Sequence, residues 1–380
     1  MHVVICGGGV IGASIAYQLS LRGTAVTVVE RTGVACAASG KSGGFLALDW
    51  CDGTALARLA RRSFALHAEL AAALDGDRWG YRRLDTWSVL AGARHRSQPV
   101  SAPLGWLGAG ARVQGRLGTP ATTAQVHPAR FTEAMLQAAT ERGARLRLGR
   151  VTGILLDAAR SVARGVTVEG EELQADVVVL AMGPWSIAAS RWLPLPAVYG
   201  LKGNSVLLGT GETVTADALF VELTTASGTT HTPELFPRAD GTTYLCGLSS
   251  EQPLPEDPAE VAPDQGAADT LRAMAATFAP ALASAPLLAV HACFRPVTRD
   301  GLPLLGPVPG IANAFVATGH SVWGILNAPA TGEAMAELIL DGTTLGHWVE
   351  LPLPEPPWPH GAPFVGFVYL DAQAGLSAKG

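Results

Sequence analysis

Charge of one sign is what this sequence lacks first. Its 27 basic and 32 acidic residues leave a formal net charge of −5, and no Lys/Arg run stands out. Neither a nucleic acid nor an acidic membrane surface is an expected partner. Cysteine is sparse too: Cys6, Cys36, Cys51, Cys246 and Cys293 are odd in number and never spaced Cys-x-x-Cys. That pattern excludes a disulfide framework and a structural zinc site, and suits a reducing compartment. The nine histidines include no His-Glu-x-x-His, so no metal is expected. Apolar runs such as VVVLAM fall far short of the roughly 20 residues that cross a bilayer. The opening MHVVICGGG reads directly as a strand and its turn, so we expect no targeting segment and a cytoplasmic location.

What is present is apolar mass. Hydrophobic residues make up 48% of the 380 and charged residues only 16%, enough for a large core and incompatible with intrinsic disorder. At roughly 150 residues per domain the length predicts two or three domains. His2–Cys6 is a short apolar run, followed by GGGVIG, an Ala/Leu-rich helical pattern stopped at Gly23, and a second buried strand, Ala25–Glu30. Strand, glycine turn, helix and strand within about 30 residues make a βαβ unit. A small-residue loop over Ala35–Phe45 and a helix around Thr54–Leu74 follow. From Thr86 the texture turns to strand, and the polar stretch from Ser97 to Thr123 has little periodicity. Helical order returns at His127–Gly143, strands dominate beyond Pro196 to about Ser250, and a helix is expected near Gln265–Phe278.

Gly7, Gly9 and Gly12 fit Gly-x-Gly-x-x-Gly between a strand and a helix. The glycines let a pyrophosphate approach the backbone, and the helix start at Val10 and Ile11 offers free N–H groups. Glu30 ends the second strand, 18 residues past Gly12, where an acid accepts ribose hydroxyls. An acid there argues against NADP. ADVVVLAMGPWS (Ala175–Ser186) is a second strand running into a glycine turn far downstream, and that long interruption favours FAD over NAD.

Five blocks together, GGGVIGASIAYQLSLRGTAVTVVER, HPARFTEAMLQAATERGA, ADVVVLAMGPWS, RPVTRDGLPLLG and ATGHSVWGILNAPATGEAMAELI, resemble in order the D-amino-acid oxidase superfamily of flavoproteins, closest to its glycine oxidase and sarcosine oxidase branch. The blocks cover the flavin-binding half; the strand-rich remainder matches loosely. The resemblance implies an α/β fold (α+β overall): a discontinuous Rossmann-like FAD domain over 1–84, 126–198 and 290–345, with a mostly antiparallel substrate domain over 85–125 and 199–289. A Pro-rich extension, 346–380, follows. It implies FAD contacts from Arg31, from Ser39, Lys41, Ser42, Gly43 and Gly44 beside the isoalloxazine, and from Val151, Gly183 and Trp185. Gly319, His320, Val322, Trp323, Gly324 and Ile325 complete the set at a helix start facing the flavin N1/C2=O edge.

The resemblance also implies chemistry: oxidation of an amino acid or a secondary or N-methyl amine, with hydride leaving the α-carbon for flavin N5, an imine as product, and dioxygen reoxidising the flavin as hydrogen peroxide forms. Such a reaction needs little acid–base apparatus beyond a positioned, neutral amine. Arg295, in the Arg-Pro-x-Thr-x-Asp-Gly-x-Pro-x-x-Gly frame, stands where the family's carboxylate-binding Arg does; an ordinary ion pair is the alternative. Where the branch often carries a second Arg, two places after the His, this chain has Val322, leaving a one-armed clamp that is less suited to glycine. Cys293 occupies the position where sarcosine oxidase-like members link sulfur to the flavin; a small buried hydrophobe is the alternative. Lys41 is a candidate for stabilising negative charge at the flavin, and His320 for assisting there, with a solvated Lys and a turn-stabilising His as the plainer readings. Trp323, His231 and Phe236 are candidate pocket walls. Gly40–Gly44 matches Gly-x-Ser-x-Gly by letter only, and ACAASGKS fails the P-loop pattern at Ala35. Two rivals keep the fold: a dehydrogenase passing electrons to a non-oxygen acceptor, and a flavin-bound accessory protein without turnover. Monomer and homo-oligomer stay open.

Overall fold

A computed structural model describes residues 1–92 and 104–343. Val3, Val4, Ile5 and Cys6 are all fully buried, so the first strand is apolar without alternation because both of its faces are covered. It lies inside a six-stranded sheet with the order Leu304–Pro307, Ala314–Thr318, Val177–Leu180, His2–Cys6, Ala25–Glu30, Arg145–Leu148. The first pair is antiparallel and the rest are parallel. Val3 and Ile5 pack with the helices Val10–Leu21, Ala57–Leu74, Pro128–Thr140 and Gly324–Asp341. Val4 and Cys6 face a three-stranded sheet, Val151–Leu156, Ala163–Val168 and Glu171–Gln174.

The helix Gly324–Asp341 carries Pro329 inside it. A proline has no N–H for the carbonyl four residues back, which is Ile325. His67, fully buried on the neighbouring helix, fills that gap: its Nε2 lies 2.9 Å from the Ile325 carbonyl oxygen and 3.2 Å from that of Leu326. Two carbonyl acceptors require Nε2 to be the protonated nitrogen.

The second sheet has eight strands. Its path runs Leu287–Val297, Tyr199–Gly209, Thr242–Ser250, Glu234–Pro237, Asp217–Thr224, Asp85–Gly92, Ala111–Gly118, with Thr230–His231 beside Asp217–Thr224. Only the pairing of Asp85–Gly92 with Asp217–Thr224 is parallel. Alternation sorts its side chains. Leu235, Leu245, Val206 and Leu208 pack with Leu271, Met274 and Phe278 of the helix Ala267–Phe278. Phe236, Tyr244 and Cys246 point the other way, toward the six-stranded sheet's turns.

Three expectations need correcting. The boundary read at residue 290 falls inside Leu287–Val297, which pairs along Tyr199–Gly209 in the eight-stranded sheet, so Cys293 and Arg295 belong to that sheet. The aperiodic stretch contains the edge strand Ala111–Gly118, in which Arg112, Gln114 and Arg116 alternate with Ala111 and Val113 of the core-facing side; the alternation is local to these residues within a longer polar stretch. Lys41 closes a four-residue helix, Ala38–Lys41, within the small-residue segment read as a loop. The extension 346–380 lies outside the described residues.

Candidate active site

A cavity of about 1360 Å³ lies between the two sheets, larger than the roughly 300–1,000 Å³ of ordinary small-ligand sites. One end is built on the turn after the first strand. Gly7 has φ +119, and a Cβ there would stand 2.3 Å from the Ala181 carbonyl oxygen; a Cβ on Gly12 would stand 2.0 Å from that of Gly7. Only glycine fits, and the backbone is left bare at the cavity wall. Gly9, the residue before the helix Val10–Leu21, has no side chain with which to cap it, and Ser39 Oγ accepts from the Val10 N–H at 2.9 Å. Glu30 is buried and orders its own loop: one oxygen accepts from the Gly8 N–H at 2.6 Å, the other from Thr32 at 2.8 Å. The bare turn, the helix start beside it and the acid on the cavity wall fit a dinucleotide.

A strap crosses this end from the eight-stranded sheet. Arg31, expected on the cofactor, gives Nη1 to the Glu256 carbonyl at 2.7 Å and Nη2 to Asp257 at 2.9 Å. Arg150 pairs with Glu256, and the Trp185 indole N–H donates to the Pro255 carbonyl at 2.8 Å. Val151, Gly183 and Trp185 are wall residues here. At its root Lys202, buried, meets Asp264 at 2.5 Å, and Asn204, Ser250 and Gln252 also donate to that carboxylate, holding it at about 2.

The other end is lined from the eight-stranded sheet. Arg295 projects over Gly203, its Nη2 donating to Ser249 Oγ, with Nε buried and unpartnered. It makes no salt bridge among the described residues. Burial raises the Cys293 thiol above its ordinary range, opposed by Arg295 and Lys41. Phe45, Trp50, Phe220 and Phe236 form one aromatic cluster with centroids 4.7–5.7 Å apart, and Trp323 meets Trp50 edge-on at 6.5 Å. All five line the cavity. Phe236 is pressed against the small-residue segment, since a Cβ on Gly43 would lie 2.3 Å from its ring. His320 is buried, with Nε2 3.1 Å from Thr331 Oγ1, and burial lowers it to about 3. It is therefore neutral near pH 7.

Most residues picked from sequence converge on this cavity. Gly7, Gly9, Val10, Ile11, Glu30, Arg31, Ser39, Ser42, Gly43 and Gly44 line it, as do Cys293, Arg295, His320, Val322, Trp323, Gly324 and Ile325. Lys41 and His231 are not wall residues. The Lys41 carbonyl accepts from the Tyr244 hydroxyl at 3.2 Å, and His231 sits on the strand pair at Leu223. Gly12 and Gly319 support the wall from behind: a Cβ on Gly319 would lie 2.8 Å from Thr298 Cγ2. Sequence reasoning missed Glu234, Tyr244, Cys246 and Ser249. The signal was period two: if Phe236 faces inward, Glu234 must too.

The family model for FAD dependent oxidoreductases, DAO, matches residues 2–338. The chain belongs to this family. A Schizosaccharomyces pombe protein, named for oxidoreductase activity without a stated substrate, is 32% identical over 93% of this chain and 98% of its own length. The glycine oxidase of Pseudomonas aeruginosa is 31% identical over 89% of this chain and 94% of its own. Among solved structures, glycine oxidase from Geobacillus kaustophilus superposes with a TM-score of 0.74 at 26% identity, covering 90% of this chain and 94% of that one. That of Bacillus cereus gives 0.77 at 24% identity, covering 91% and 98%. The mixed fold, with its parallel Rossmann-like sheet and antiparallel second sheet, is thus the glycine oxidase fold. No helix among the described residues is long and apolar enough to cross a membrane, and no three His, Cys, Asp or Glu among them group to hold a metal.

Proposed function

We propose that this family member oxidises the C–N bond of an α-amino acid, primary or N-substituted, with an apolar side chain. The observation that carries this is Arg295: a guanidinium in an aromatic-walled cavity with no acid paired to it. A half-buried guanidinium on the cavity wall with no salt-bridge partner among the described residues offers a site for an anion, and a substrate carboxylate fills it through two parallel hydrogen bonds. Ser249 fixes one Nη, so the fork has one orientation. The cluster of Phe45, Trp50, Phe220 and Phe236 excludes water and accepts the side chain. With Val322 in place of a second arginine, affinity for the smallest amino acids rests on Arg295 alone. Bound FAD supplies the two-electron acceptor, with dioxygen as its own acceptor in our reading; the substrate leaves as an imine that water hydrolyses.

FAD is held without a covalent bond in this reading: Cys293 lines the cavity, and burial raises its thiol above the ordinary range, which disfavours the thiolate that a thioether needs. Acid precipitation separates the cases: yellow supernatant supports it, and colour that stays with the pellet until Cys293→Ser overturns it. The substrate reading is tested by mixing the holoenzyme anaerobically with D-, L- and N-methyl amino acids and following the flavin absorbance. We expect one class to bleach it, and Arg295→Ala to weaken that substrate by at least about a hundredfold, the loss expected for a desolvated charge pair, while FAD content is kept. Bleaching only by amines without a carboxylate overturns it. Slow reoxidation in air after bleaching identifies a dehydrogenase with another acceptor.

A further inference from the structure

Glu234 stands in the same cavity with no role in the account so far. It begins the strand Glu234–Pro237, and its register neighbours are Cys246 on one side and Phe220 on the other. All three line the cavity. The Cys246 thiol donates to Glu234 Oε2 at 3.6 Å, a weak donor, and no cation pairs with the carboxyl at salt-bridge distance among the described residues. Arg295 acts on it electrostatically from across the sheet, and Tyr244, two residues from Cys246, is the other titratable group beside it. The facing strand offers only the uncharged Phe220 ring. The cavity therefore holds a cation and an acid that are not paired with each other, both on one sheet face.

We propose that Glu234 receives the substrate's amino group and takes a proton from it, completing a zwitterion site whose other pole is Arg295. This rests on the function proposed above. The balance is simple. An amino acid arrives as an ammonium; one N–H bond breaks, the proton bonds to a Glu234 oxygen, and the nitrogen lone pair returns to the amine. No electron leaves in this step. Desolvation drives it from both sides, since burial disfavours the ammonium and the carboxylate alike, and the transfer removes both charges. Burial raises Glu234 above the ordinary carboxylate range, which makes it a better proton acceptor than an exposed carboxylate. Oxidation of an amine requires that lone pair, so Glu234 converts the form present in solution into the reactive one.

Glu234→Gln keeps the shape and removes the acceptor. In the holoenzyme with the bleaching substrate, we expect the anaerobic rate at pH 7 to fall at least about tenfold and to recover as pH rises toward the pKa of the free ammonium. FAD content should be unchanged, and acetate, which has a carboxylate and no amine, should bind no more weakly than to the parent. A pH profile identical to that of the parent overturns the proposal. If Glu234→Gln loses FAD, Glu234→Asp takes its place: a shifted, partly restored profile supports the role, and an unshifted one overturns it. If no amino acid bleaches the parent flavin, the proposed function fails by itself. The Glu234 assignment is then decided by binding alone, read from flavin absorbance shifts with glycine, N-methylglycine and acetate. A preference for the amine-bearing ligands that Glu234→Gln abolishes supports it, and no such preference overturns it.

Discussion

His67 and Pro329 act as one unit at the residue scale. Replacing His67 by Leu keeps most of the volume but leaves the Ile325 and Leu326 carbonyls without their donor, at about 1–3 kcal/mol. In a Pro329→Ala background the new N–H takes the Ile325 carbonyl, so the same His67→Leu change should cost less. Chemical denaturation of the four proteins gives that coupling directly. The two buried histidines also set an acid limit. Burial lowers His67 from 6.5 to about 4 and His320 to about 3. Between those values and about 6.5 the unfolded chain binds more protons than the folded one, so stability is full above pH 6.5 and falls as the pH drops. For His67 alone the loss is about 3 kcal/mol. Melting temperature measured from pH 7 to 4 should fall, and His67→Leu should flatten part of the slope. The residues that proved legible from sequence were those whose chemistry demands a type: Gly7 and Gly12 against a carbonyl, Glu30 at a strand end. Ser249 was not legible, because a polar residue in a strand takes its meaning from which face the sheet buries, and Glu234 was legible only through its period-two relation to Phe236. Lys41 is not a wall residue of the cavity, and a glycine-rich segment gives no sign of which side chains turn inward.

Among the elements, the strap over 254–258 ties the eight-stranded sheet to the glycine-turn end of the cavity. Its grip is two arginines and an indole N–H, all partly exposed, so the ion pairs are weak singly and sensitive to salt. Trp185→Phe together with Asp257→Asn should speed FAD release several-fold after dilution, read as the rise of free-flavin fluorescence, and raised salt should do the same to the parent. Release rates unchanged by both would show that the strap does not hold the cofactor. The strands His2–Cys6, Ala25–Glu30 and Val177–Leu180 were legible because burial on both faces writes apolar runs. The edge strand Ala111–Gly118 was passed over although Arg112, Gln114 and Arg116 alternate along it, because an alternation of polar with small residues is weak inside a long polar stretch.

For the whole molecule, neither sheet is built from one stretch of chain. The six-stranded sheet needs His2–Cys6 and Ala314–Thr318, and between them the chain leaves to build the eight-stranded sheet and returns. The two should therefore unfold together: urea transitions followed by far-UV circular dichroism and by tryptophan fluorescence are expected to coincide, and a biphasic curve would contradict this. The same interleaving has a consequence in time. The glycine turn after His2–Cys6 leaves the ribosome long before Ala314–Thr318, the strand that completes its sheet. At roughly 5–20 residues per second, about fifteen seconds to a minute of synthesis separate the two. Through that interval the nascent chain carries its glycine turn on an unfinished sheet edge, and the cavity that the turn lines cannot form until Ala314–Thr318 has emerged.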